Sequence, residues 1–172
     1  DAFLSHFKYI TEYADSSVVK YSTLIMSISQ ISETVFILAI PFFLKRFGIK
    51  KVMLISMIAW VLRFGFFSFG TPEGIGLVLI VMSNIVYGMA FDFFNISGSL
   101  FVETNTDSTI RSSAQGLFMM MTNGIGAFLG SKLSGILIDA YFTHEGIQDW
   151  HSIWLAFAGY SLVIAILFAI FF

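Results

Sequence analysis

Residues 83–103 read SNIVYGMAFDFFNISGSLFVE, an almost wholly apolar run that carries Asp92 near its centre. A helix needs about 20 apolar residues to cross a hydrocarbon core ~30 Å thick, so this segment reads as something dissolved in lipid. An ionisable side chain at that depth is expensive, and it turns toward a bundle interior or a water-filled cavity. The fold is decided by whether the rest of the chain supplies further segments to surround Asp92.

Of the 172 residues, 57% are hydrophobic and 12% charged, and the mean hydropathy is +0.86, well outside the mix of water-soluble domains. Spans are expected near 22–44, 51–70, 75–103, 112–140 and 152–172, with 1–21 an outer loop segment and 22–172 a transmembrane helical bundle. They should be helical, because unpaired backbone groups are too costly in lipid and alternating strand patterns are absent. The expected class is an all-α polytopic membrane protein of five transmembrane helices. The third and fourth spans exceed the crossing length and should tilt, kink or protrude.

The loop KRFGIKK at 45–51 gathers Lys45, Arg46, Lys50 and Lys51, whereas GTPEG at 70–74 and YFTHEGIQD at 141–149 carry no Lys or Arg. The positive-inside rule puts 45–51 in the cytoplasm, along with ETNTDSTIR at 103–111, and turns residues 1–21 outward. Trp150 and Trp154 fit an aromatic belt at the outer start of the last span. The opening, DAFLSHFKYITEYADSSVVKYS, is neither a Met start nor a signal peptide, so a piece of a longer chain is expected. No cysteine is present, and His6, His144 and His151 fall outside the apolar runs, so neither metal nor cofactor is expected. Nor is there a basic patch suited to nucleic acid.

Glu33, Arg63 and Asp92 lie at ~16, ~18 and ~16 Å from the cytoplasmic ends of their helices, at one midplane level. Gln30 and Glu33 share a helix face; Asn84, Tyr87, Phe91 and Asn95 form a stripe with Asp92 on its edge. Taken singly, Gln30 and Asn95 read as interhelical hydrogen bonds and Tyr87 and Phe91 as packing. Their convergence with two acids suits a site for a small, planar, hydrogen-bonding solute. Arg63 has two readings, an internal partner for Asp92 or Glu33 or a further site contact, and general rarity of unpaired intramembrane charge favours the first. Glu33 and Asp92 are proton-coupling candidates, since a carboxyl group whose exposure alternates can take up a proton at one face and release it at the other. Asn123, ~18 Å deep, is another candidate contact.

Gly126, Gly130 and Ser134 form a small-residue track for close helix approach, while Lys132 and Asp139 should snorkel to the outer surface. Gly124 and Gly126 follow no strand, and no histidine at membrane depth can activate a serine, so the chain is not expected to be an enzyme.

Three blocks, QISETVFILAIPFFLKRFGIKKVMLISMIAWVLRFGFF, VYGMAFDFFNISGSLFVE and RSSAQGLFMMMTNGIGA, closely resemble the bacterial nucleoside:proton symporters of the major facilitator superfamily. The resemblance implies a twelve-helix transporter of two six-helix halves, this chain being the C-terminal part with helices eight to twelve. It implies import of nucleosides such as uridine together with protons, by alternating access across the bacterial inner membrane, with the N-terminal half as partner. It assigns the nucleoside site to Gln30 and Glu33 (Q-x-x-E) and to Tyr87, Phe91 and Asp92 (Y-x-x-x-F-D). The loop PFFLKRFGIKK resembles the superfamily's G-x-x-x-D-R-x-G-R-K motif but has Pro41, Lys45 and Ile49 at its first Gly, Asp and second Arg. The alternatives are a sugar or drug carrier of the same superfamily, or a non-transporting membrane scaffold.

Overall fold

The computed structural model describes residues 22–71, 74–144 and 147–172; the segment 1–21, expected as an outer loop, and His6 lie outside them. The described residues are mostly helical, with short connecting turns and one short hairpin. In order they form α1 (Ser22–Phe69), α2 (Gly74–Asn105), α3 (Arg111–Met119), a π-helix (Met120–Gly126), α4 (Ala127–Tyr141), β1 (Thr143–His144), β2 (Ile147–Gln148) and α5 (Trp150–Phe171). Three of them, Met26–Phe69 within α1, then α2 and α5, are long and apolar enough to cross a membrane.

α1 is not one rod. At Gly48 its backbone adopts φ 78, ψ 167, a conformation essentially reserved for glycine. Ile40 and Val52 would stand ~18 Å apart along a continuous helix, yet both belong to one buried cluster with Phe93 of α2. The chain therefore reverses at Gly48, within the basic run Lys45–Lys51, and α1 consists of two limbs.

α2 lies against both limbs. It runs parallel to the first, as the neighbours Ser29 and Asn84, Glu33 and Gly88, and Phe36 and Phe93 show. It runs antiparallel to the second, where Val52 shares a cluster with Phe93, Ala59 with Val86 and Ala90, and Arg63 bonds Ser83. The fully buried Phe93 ring fills the space between the limbs, 5.0 Å from Phe43 and 6.0 Å from Phe36. α5 closes on the second limb through Trp154, whose ring stands 5.2 Å from Phe67 and 5.9 Å from Phe64. At its start Ser68 Oγ donates to the His151 carbonyl at 2.9 Å, and His151 Nδ1 lies 2.7 Å from the Ser68 carbonyl oxygen.

The distribution of polarity is that of a bundle in lipid. Leu38, Ile75 and Phe171 are exposed, whereas Ser32, Ser56, Ser83, Asn84, Asp92 and Ser97 are buried. Apolar side chains gain nothing by leaving lipid, so small polar residues that permit close backbone approach occupy the interior.

The stretch expected as a single span over 112–140 is α-helical only at its ends, with the π-helix between them. Glycine permits that wide turn: a β-carbon at Gly126 would fall 2.7 Å from the Met121 carbonyl oxygen. Beyond the turn, β1 and β2 pair antiparallel, Thr143 opposite Gln148.

Gly88 sets the closest helix contact. A β-carbon there would lie 2.5 Å from the Glu33 backbone nitrogen and 2.7 Å from its α-carbon. Gly88→Ala would gain ~1 kcal/mol of helix propensity, but overpacking against rigid backbone costs ~1–3 kcal/mol. At Gly159, in α5, an added β-carbon meets nothing within 4 Å. In the complete protein in detergent, Gly88→Ala should lower the melting temperature while Gly159→Ala leaves it level or raises it; equal effects would refute the contact.

Asp149 caps α5. Its carboxylate accepts from the Ser152 hydroxyl and, at 3.3 Å, from the Ser152 backbone N–H. The hydroxyl bond, then the backbone bond, hold its pKa below the ordinary aspartate value. This contribution is present above the unfolded value of ~3.9 and is lost as pH falls through the lower folded value. Solvent screening keeps it under ~1 kcal/mol. Acidification below about pH 4 should therefore depress the melting temperature of wild type more than that of Asp149→Asn, and parallel pH curves would contradict the cap.

Candidate functional site

Residues of α2 four apart lie on one face, and two adjacent stripes divide its neighbours between them. Asn84, Gly88 and Asp92 face the first limb of α1, where Ser29 Oγ donates to Asn84 Oδ1 at 2.7 Å and Ser32 Oγ donates to the Ile85 carbonyl. Ser83, Tyr87 and Phe91 form the stripe beside it. There Tyr87 meets Trp60 and Arg63 of the second limb, and its ring stacks on Phe91 at 5.8 Å and 25°.

Because Gly88 has no side chain, the Glu33 backbone can sit directly against α2. Asp92 stands one helical turn beyond Gly88, so the backbone contact at Glu33 sets the two acids at one helix interface. Asp92 is 5% exposed, and its Oδ2 is buried with no hydrogen-bond partner among the described residues. Glu33, Tyr87 and Phe91 are half-buried, which leaves part of each surface open to a solute.

Arg63 corrects one expectation. It makes no ion pair with Asp92 or Glu33 among the described residues; its guanidinium lies 4.2 Å from the Tyr87 ring centroid, 4.9 Å from Phe67 and 5.8 Å from Trp60. The geometric reason is that Tyr87 and Asp92 are separated by ~140° around α2, at about 100° per residue. A side chain that reaches α2 over the Ser83 and Tyr87 stripe approaches from the wrong side for Asp92.

The remaining candidates are dispersed. Gln30 is exposed, one turn before Glu33 on the first limb. Asn95 uses its amide to donate to the Phe91 carbonyl at 2.9 Å, within its own helix. Asn123 is exposed on the π-helix, away from the α1 and α2 contact. Trp60, whose edge meets Tyr87 at 6.0 Å, was not singled out by sequence, although it lies three residues before Arg63 and hence on the same face. Among the described residues no group of three His, Cys, Asp or Glu could hold a metal ion.

The arrangement offers two acids, one stacked aromatic pair and a cation set over aromatic rings. Chemically it can hydrogen-bond hydroxyl and amide groups, pack against a planar ring and exchange a proton.

A family model described as nucleoside H+ symporter matches residues 1–172. The xanthosine permease of Escherichia coli K12 is 61% identical over 166 residues, which cover 96% of this chain and 40% of that protein. Nucleoside permease NupG of the same organism is 56% identical over 168 residues, covering 98% and 40%. The crystal structure of the nucleoside transporter NupG matches with a TM-score of 0.88 at 56% identity, over 97% of this chain and 41% of that one. A mutant form of it matches with a TM-score of 0.91 at 55% identity, over 99% and 42%. The chain thus spans about 40% of the length of these permeases. With its buried polar stripe, apolar exterior and full-length match, the chain belongs to the nucleoside H+ symporter family.

Proposed function

We propose that the chain is the C-terminal part of a secondary active transporter that imports nucleosides by proton symport and leaves its substrate chemically unchanged. The observation that carries this reading is the Asp92 carboxyl group, whose Oδ2 is buried with no hydrogen-bond partner among the described residues and which stands one helical turn after Gly88, the point where the backbone of a second acid, Glu33, meets α2. A charge held in that way at membrane depth is costly unless a proton or a polar solute visits it.

In this reading the two limbs of α1, α2, the run Arg111–Tyr141 and α5 make five crossings, helices eight to twelve of a twelve-helix major facilitator fold. The basic loop 45–51 faces the cytoplasm, residues 1–21 face outward, and the protein resides in the bacterial inner membrane. Tyr87 and Phe91 pack against the base, and Glu33 and Gln30 bind ribose hydroxyls or the base edge. Asp92, the more deeply buried acid, carries the coupled proton. Asn95 and Asn123 contribute only if closure of the two halves brings them to the solute. Protonation and nucleoside binding favour each other, and that reciprocity couples solute movement to the proton gradient.

The test is uptake of radiolabelled uridine by the complete protein in liposomes. Accumulation should require an inward proton gradient, collapse with an uncoupler and be competed by other nucleosides but not by sugars. Asp92→Asn and Glu33→Gln should each lower it about tenfold or more, as expected for losing ~1.5–3 kcal/mol of charged hydrogen bonding. Uptake indifferent to the gradient would rule out symport, and competition by sugars would reassign the substrate.

A further inference from the structure

Arg63 is a half-buried cation at the α1–α2 contact that the transport reading leaves unused. Its guanidinium is enclosed by Tyr87, Phe67 and Trp60, with ring centroids at 4.2, 4.9 and 5.8 Å. A cation over ring faces in a water-poor site is attracted by the ring quadrupoles, and a planar guanidinium can also stack on them. Two bonds fix where it sits: Ser83 Oγ donates to the Arg63 carbonyl at 3.1 Å, and Arg63 Nη1 approaches the Ser83 carbonyl oxygen at 3.5 Å. Ser83 is fully buried and stands one helical turn before Tyr87, so the anchor and the held ring share a face of α2.

Tyr87 is therefore constrained from three sides, by Arg63 over its face, by the Trp60 edge at 6.0 Å and by the stacked Phe91 at 5.8 Å. We propose that Arg63 is a positioning residue for the solute: it acts through Tyr87, holding that ring against Phe91 so that the pair presents a fixed aromatic platform to the nucleobase. A platform ordered before binding loses less rotamer freedom when the solute arrives, which raises affinity without adding a contact. The guanidinium itself touches rings of the bundle and need not touch the nucleoside. This inference rests on the nucleoside-transport reading.

The test is uridine affinity of the complete protein in detergent for wild type, Arg63→Met, Arg63→Lys, Tyr87→Leu and the double variants, each with its melting temperature. Arg63→Met should weaken binding about tenfold, the order of a desolvated cation–π contact. Arg63→Lys, which keeps the charge but not the stacking plane, should recover part of it. On a Tyr87→Leu background neither Arg63 substitution should weaken binding further, because the ring it acts through is gone. A merely structural role would lower the melting temperature and give additive losses. Should Arg63→Met fail to fold, the cycle with Arg63→Lys reads the same coupling. Unchanged affinity in a folded Arg63 variant, or additive losses, would overturn the positioning role while leaving transport intact. A wild type that binds no nucleoside would overturn the transport reading and this inference with it.

Discussion

Backbone contact between Gly88 and Glu33 governs the organisation of the bundle, since a β-carbon at Gly88 would stand 2.5 Å from the Glu33 nitrogen. At such a distance no side chain separates the two helices, and one acid is pressed directly against the helix that carries the other. Ser29 and Ser32 bond α2 just above this point and fix its rotation. With the rotation set, the stripe of Asn84, Gly88 and Asp92 must face the first limb, and Ser83 and Tyr87 must face the second. Every polar feature of the site follows from that division.

The same division explains why one arginine and two carboxylates at the same depth remain apart. Opposite charges in a low-dielectric interior attract strongly, and a pair would be the default arrangement. Here the stripe that Arg63 reaches carries Tyr87, so ring faces and a carbonyl oxygen receive its charge, and neither acid is paired with it.

Much of this was legible in the chain. The apolar runs and the scarcity of charge gave an all-helical membrane protein, and the basic loop expected between the first two spans contains Gly48, where α1 reverses. Spacing of three and four put Tyr87 with Phe91 and Gln30 with Glu33 on single faces, because those relations are internal to one helix. Relations between helices were not legible in the same way. Spacing says which residues share a face but not how two helices are rotated against each other, and the expected ion pair of Arg63 fails on that point. The π-helix at Met120–Gly126 was also hidden, since it depends on a glycine placed where a wide turn crowds a carbonyl, a signal indistinguishable in sequence from a small-residue packing track.

Proton-coupled import requires linkage between nucleoside and proton at Asp92. The most direct measurement is calorimetry of uridine binding to the complete protein in buffers of different ionisation enthalpy, which counts protons exchanged on binding. Wild type should take up protons on binding uridine, whereas Asp92→Asn, still folded, should bind uridine without proton uptake or not at all. Binding by wild type with no proton uptake, or uptake unchanged in folded Asp92→Asn, would contradict that linkage.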